Sequence, residues 1–141
     1  MLLKVENLHK NYINNKRATS ILKGVSFHID KKEIVSIQGA SGSGKTTILN
    51  IVAGLLKYDK GTIAYNNEAF SEVFDYTQYR IEEIGIIFQE HTLLNSFTAF
   101  ENVLIPQYIK GINKVKAAEN VLDLFKKFNL SDKKDFYPTH L

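Results

Sequence analysis

The chain has 141 residues, 44% hydrophobic and 23% charged, enough for one ordinary domain with a real core. It contains no cysteine, which excludes a disulfide framework and a thiolate metal site. The net charge of +3 rests on scattered lysines (Lys31-Lys32, Lys126-Lys127, Lys133-Lys134) beside acidic residues, a solvated surface rather than a basic face, so no nucleic-acid partner is expected.

The start, Met1-Leu2-Leu3-Lys4-Val5-Glu6, lacks the apolar core and cleavage site of a signal peptide, and no apolar run approaches bilayer length. The protein is expected to be soluble, or to sit at a membrane only through a partner. Leu2–Leu8 half-alternates and Ile21–Ile29 alternates around Gly24, so both are predicted strands. Asp30-Lys31-Lys32-Glu33 is a turn. Ile34–Gln38 is predicted as a strand of the buried parallel kind.

Directly after it come Gly39-Ala40-Ser41-Gly42-Ser43-Gly44-Lys45-Thr46, spaced G-x-x-x-x-G-K-T. An apolar helical pattern follows, Gly44–Leu56, with Ile48, Leu49, Val52 and Leu55 on one face. Strand, loop and helix in that order are the setting of a phosphate-binding loop. Such a loop turns backbone N–H groups inward around phosphate oxygens, where side chains would block approach; hence glycine at 39, 42 and 44. The helix start adds its positive end. Lys45 supplies a mobile charge for the outer phosphates, and Thr46 offers a hydroxyl to magnesium. Thr47 and the amides of Gly42, Ser43 and Gly44 face the inner phosphates.

Lys57–Gly61 is a predicted turn, Gly61–Tyr65 a strand, Asp75–Glu83 a helix and Ile84–Phe88 a second apolar strand. Together these make an α/β sheet with right-handed crossovers, and the strands before Ile34 add an antiparallel layer. Thr98–Lys110 is predicted helical, kinked or interrupted at Pro106. Asn113–Phe128 is a predicted amphipathic helix with Ala118, Val121, Leu122 and Phe125 inward, Asn113 as N-cap and Asn129 as stop. Residues 91–97 form the expected hinge between residues 1–90 and a helical part, 91–141.

These features resemble the ATP-binding subunit of an ABC transporter. Lys10-Asn11-Tyr12 resembles the family's A-loop, and Ile21-Leu22-Lys23-Gly24-Val25-Ser26-Phe27 the strand after it. Gly39–Thr47 and Ile48–Leu55 are similar to the family's first loop and helix; Lys57–Gly61 departs mildly where relatives carry Pro and Ser. Ile84–Gln89 resembles the strand ending in the Q-loop glutamine, and Thr98-Ala99-Phe100-Glu101-Asn102-Val103 the start of the helical subdomain. Phe88–Leu94 with Phe97–Pro106 looks most like the lipoprotein-releasing and macrolide-export branch.

The resemblance implies an α/β fold: a P-loop NTPase core with an added antiparallel β layer and the start of a helical subdomain, an incomplete ABC ATPase domain. It implies ATP and Mg2+ held by Gly39, Ser41, Gly42, Ser43, Gly44, Lys45, Thr46 and Thr47, with Tyr12 stacking on adenine. It makes Gln89 the glutamine that reaches magnesium, alongside Thr46, and the attacking water. The implied partners are transmembrane permease subunits docking around residues 90–106, and a second ATPase subunit in a homodimer. The implied place is cytoplasmic, at the inner face of the membrane through the permease. Tyr137-Pro138-Thr139-His140-Leu141 looks like the approach to the signature Leu-Ser-Gly-Gly-Gln; the signature, the Walker B Asp-Glu pair, the D-loop and the switch histidine are not in these residues. None of His9, His28, His91 and His140 takes the switch role. An N-terminal fragment is therefore expected, binding ATP weakly, without turnover and with exposed sheet edges. A soluble ABC ATPase without a transporter, a nucleotide kinase and a remnant that binds nothing stay open. A GTPase is disfavoured because Asn113-Lys114-Val115-Lys116 lacks the required Asp.

Overall fold

The structure, a computed structural model, describes residues 1–14, 17–89 and 92–141. They form two compact units, Met1–Ile84 and Gly85–Leu141.

The first unit is built on a long hairpin. β1 (Leu3–Asn14) pairs antiparallel with β2 (Arg17–Ile29), from Leu3 opposite Ile29 to Asn14 opposite Arg17. β3 (Lys60–Tyr65) lies on the other side of β1, and the two-residue β4 (Glu68–Ala69) pairs with β3, giving the order β2-β1-β3-β4. Asn66 and Asn67 make the β3–β4 turn, both at positive φ (49° and 69°), the conformation a tight hairpin needs and asparagine tolerates. β1 and β2 are both longer than predicted, and β1 includes Tyr12.

Strict alternation would put Leu3 and Val5 inward and Leu8 outward, yet all three are buried. Asn7 resolves the conflict. It sits at φ 49°, and pairing slips between Val5 and Leu8 against β2 and between Glu6 and His9 against β3. This bulge resets the phase, and the Asn7 N–H is satisfied by Ser26 Oγ at 2.9 Å. Gly61 of β3 faces the bulge: a Cβ there would lie 2.5 Å from the Asn7 carbonyl oxygen and 2.6 Å from that of Glu6.

α1 (Lys45–Val52) packs Ile48 and Ile51 into a core with Leu3, Val5, Leu8, Leu22, Ile63, Phe70 and Tyr79. Leu49 and Leu55, predicted inward, are exposed, and Ile51 takes their place: the buried face is Ile48 and Ile51 with Val52 beside them. The helix also stops before Leu56. Gly54 adopts φ 67°, its N–H bonds the Ile51 carbonyl at 3.0 Å, and the Leu55 N–H bonds that of Asn50 at 2.8 Å. That paired closure ends a helix at a left-handed glycine. α2 (Tyr76–Glu82) starts at Asp75, whose carboxylate accepts from the Thr77 and Gln78 amides. It anchors the far end of α1: Tyr79 Oη donates to the Val52 carbonyl at 3.1 Å, and Arg80 to that of Gly54 at 2.8 Å. Phe70, Phe74, Tyr76 and Tyr79 pack mostly edge to face around this contact. Burial pushes the Tyr79 phenol far up, so it stays a neutral donor.

The predicted parallel strands Ile34–Gln38 and Ile84–Phe88 are not in the sheet, which among the described residues is wholly antiparallel. Ile37 and Ile84 still pack on the core, but Ile34 and Ile87 are 98% and 100% exposed. A buried parallel strand needs ladder partners on its flanks and cover on both faces, and neither segment has them among the described residues.

In the second unit, α3 (Ala99–Ile109) begins with a capping box: Thr98 accepts from the Glu101 amide, and Glu101 accepts from that of Thr98. Pro106 lies inside α3, which runs on to Ile109, so of the two expected outcomes the helix is not interrupted there; proline withholds the N–H that would bond the Asn102 carbonyl. The Asn102 side chain accepts from the Leu94 amide and donates toward the carbonyls of Leu94, Phe97 and Thr98, fixing the approach to α3. α4 (Lys114–Lys127) is capped by Asn113. Its buried line is Ala117, Val121 and Phe125, so Ala117 rather than Ala118 faces in, and Leu122 is exposed. Asn129 at φ 56° closes it as predicted, with Asn129 N–H to Lys126 and Leu130 N–H to Phe125. The carbonyls of Phe136 and Lys134 accept from the Ala99 and Phe100 amides respectively, at 2.8 Å each.

Candidate functional site

The segment Gly39–Thr47 runs from the end of Ile34–Gln38 into α1. Its conformation follows from three glycines. Gly42 and Gly44 adopt φ 76° and 96°, where residues with a Cβ are strained. Gly44 is buried against β2: a Cβ would lie 2.9 Å from both Ile21 Cγ2 and Leu22 Cδ2. At Gly39 a Cβ would lie 2.6 Å from Ser43 Oγ, in the mouth of the loop. The Ser43 N–H folds back to the Ala40 carbonyl at 3.2 Å, closing the turn.

Gly44 is the N-cap of α1, and no side chain caps that end. First-turn N–H groups have no intrahelical partner, so the amides of Lys45, Thr46 and Thr47 are available at the positive end of the helix. Lys45 Nζ donates to the carbonyls of Gly39 (2.9 Å) and Ala40 (2.8 Å), which folds the ammonium over the loop mouth. The Thr46 side chain is exposed and Thr47 half-buried. Glycines that keep space clear, uncapped amides and one cation give the loop mouth the chemistry of an anion site. A triphosphate fits that chemistry, and the Thr46 hydroxyl is a hard oxygen donor of the type magnesium takes. Among the described residues no group of three or more His, Cys, Asp or Glu side chains could hold a metal by itself, so phosphate oxygens would complete any such site.

Loop, helix and Tyr12 lie in the first unit; Gln89, exposed, lies in the second. Tyr12 is on β1 opposite Thr19 and is 41% exposed. Glu90 and His91, at the edge of the expected docking segment, lie outside the described residues.

One neighbour of Tyr12 escaped the sequence reading. Asp59, assigned there to a turn, accepts from the Asn11 amide (2.6 Å), Asn11 Nδ2 (3.1 Å) and Lys10 Nζ (3.1 Å). An acidic residue two before Gly61 was its sole mark, and no periodicity flags that. The Asn11 amide, helped by Lys10, holds the Asp59 carboxyl below its ordinary value of 3.8, against partial burial that pushes it up. A lowered folded value means the group stabilises above the unfolded value and loses that contribution as pH falls through the folded one. Wild type and Asp59→Asn are thus expected to differ most in urea midpoint near neutral pH and to converge in acid below pH 3.8. A difference that grows in acid would contradict this.

Helix, glycine loop and flanking antiparallel layer define the P-loop nucleotide-binding class. Within it, the chain belongs to the ABC transporter family, whose model matches residues 22–140. The lipoprotein-releasing system ATP-binding protein LolD of Saccharophagus degradans is 38% identical over 99% of this chain. The bacitracin export ATP-binding protein BceA of Halalkalibacterium halodurans is 34% identical over 99%, and a putative hemin import ATP-binding protein HrtA of Staphylococcus aureus 35% over 100%. The chain spans 62%, 56% and 64% of those proteins respectively. The ATP-binding cassette MJ0796, solved as a dimer in a post-hydrolysis state bound to ADP and Pi, superposes with a TM-score of 0.89 at 32% identity, over 99% of this chain and 63% of that one. No helix among the described residues is long and apolar enough to cross a membrane.

Proposed function

We propose that the chain is the nucleotide-gripping part of an ABC transporter ATPase that couples ATP binding and hydrolysis to export or lipoprotein release across a membrane. The supporting observation is the uncapped start of α1 with Lys45 folded over a glycine-lined mouth. Resemblance to LolD and BceA supports release or export as the task.

In this proposal residues 1–90 form the ATP-binding core and 91–141 begin the helical subdomain. The amides of Gly42, Ser43 and Gly44, with Ser41 and Thr47, cradle the inner phosphate oxygens, the Ser43 N–H exchanging its Ala40 carbonyl partner for one of them. Lys45 exchanges its two carbonyl partners for the outer phosphates and offsets their charge. Thr46 holds magnesium with the phosphate oxygens, and the ion neutralises charge that develops during phosphoryl transfer. Tyr12 stacks on adenine. Gln89 orients the attacking water and meets magnesium. Exposed Leu93, Leu94 and Phe97, the last two bonded to the Asn102 side chain, give the region around 90–106 an apolar surface for a permease subunit. The dimeric state of MJ0796 supports pairing with a second ATPase subunit. Such a protein works at the inner face of the membrane through its permease.

Hydrolysis also needs a carboxylate to position or deprotonate water, and the Walker B Asp-Glu pair is not in the sequence. The 141 residues alone are therefore expected to release phosphate from ATP no faster than a protein-free blank. A malachite-green assay reads this directly, and turnover typical of an intact ATPase would refute it.

A further inference from the structure

Among the described residues the Asp59 carboxylate bonds three donors: the Asn11 amide at 2.6 Å, Asn11 Nδ2 at 3.1 Å and the Lys10 ammonium at 3.1 Å. Its own N–H donates to the His9 carbonyl at 2.9 Å, so backbone and side chain grip three consecutive residues of β1. The grip falls where β1 has slipped in register, between Lys10 and Asn11 against β2. A slipped strand lacks the regular ladder that would otherwise fix its side chains. The Lys10 ammonium is shared: it is bonded to Asp59 and stands over the Tyr12 ring, 6.0 Å from its centroid. The Lys10 side chain is only 13% exposed, whereas Tyr12 as a residue is 41% exposed.

We infer that Asp59 is a positioning residue for the nucleotide base: it locks Lys10-Asn11-Tyr12, so that one ring face of Tyr12 carries the ammonium and the other is held ready for a purine. The inference rests on the stacking role proposed for Tyr12. Free rotation of Tyr12 would have to be frozen on binding, and the clamp removes that ordering cost beforehand. The triphosphate is gripped elsewhere, by Gly39–Thr47. Loss of the clamp must then weaken a ligand that has a base and spare one that has only phosphates.

Asp59→Asn is the main variant, because an amide NH2 cannot accept and would meet at least one of the three donors head on. Asp59→Ala is the second, should the first disturb folding. NMR titrations of the full chain with MgATP and with magnesium tripolyphosphate give dissociation constants for wild type, both variants, Tyr12→Ala and the double variant. Both Asp59 variants are expected to bind MgATP about 5-fold more weakly, the lower end of base–aromatic stacking, with tripolyphosphate unchanged. Tyr12→Ala shows the same selective loss, and adding an Asp59 change to it costs nothing more. Selective loss in Tyr12→Ala with wild-type MgATP affinity in both Asp59 variants overturns the role of Asp59 and leaves that of Tyr12. Equal loss of both ligands in the Asp59 variants overturns it too, as general disruption. No loss in Tyr12→Ala removes the stacking role and this inference together.

Discussion

Lys45→Ala is expected to weaken MgATP binding by roughly 10- to 100-fold, because hydrogen bonds to a charged group contribute about 1.5–3 kcal/mol. The folded chain should survive the change. Lys45 is half-buried at the helix start, and among the described residues its bonds run to the Gly39 and Ala40 carbonyls, which water can satisfy instead. The loop backbone is set by Gly42 and Gly44, not by the lysine. Binding and stability therefore separate: a fluorescent ATP analogue should lose affinity while the thermal midpoint stays close to wild type. Unchanged affinity would mean that the ammonium over the mouth does not serve phosphate.

Gly61→Ala is expected to have the largest effect on stability, roughly 3–5 kcal/mol and a fall in thermal midpoint of about 10 °C or more. Two costs combine. The position has φ 106°, outside the region open to residues with a Cβ. The added methyl would meet backbone, at 2.5 Å from the Asn7 oxygen, 2.6 Å from the Glu6 oxygen and 2.8 Å from the Asn7 carbonyl carbon. Side chains swing aside; the carbonyls of a paired strand do not. Gly42→Ala is the comparison, since its φ of 76° carries a backbone cost but no atom lies within 4 Å of the new methyl. Its expected loss is about 1 kcal/mol. Comparable losses for the two would deny the close approach of β3 to the Asn7 bulge.

Local chemistry was the legible part of the sequence. The glycine spacing from Gly39 to Gly44 sets backbone angles by itself, and the loop takes the shape that spacing requires. Asn113 caps the helix expected of it, and the helices predicted to start at Asp75 and Thr98 do so with those residues as caps, because a capping side chain and its amides lie within one turn. The antiparallel layer before Ile34 was legible from alternation. Ile34–Gln38 and Ile84–Phe88 were not, since apolar, β-branched residues favour a strand only where a neighbour completes the ladder. The inward burial of Leu8 also escaped alternation, because the Asn7 bulge shifts the phase by one residue. Asp59 stayed hidden for a related reason: its partners Lys10 and Asn11 lie 49 and 48 residues away, and neither spacing nor composition reports a contact that the β1–β3 pairing creates.

The central claim is that backbone amides at the mouth of α1 grip a triphosphate. Amide NMR of the labelled chain, titrated with magnesium and a non-hydrolysable ATP analogue, reads those groups one by one. The largest shifts are expected at Gly42, Gly44, Lys45, Thr46 and Thr47, saturating together, and in Lys45→Ala only at roughly 10- to 100-fold higher ligand concentration. Saturable binding that leaves these five amides still while moving others would contradict it.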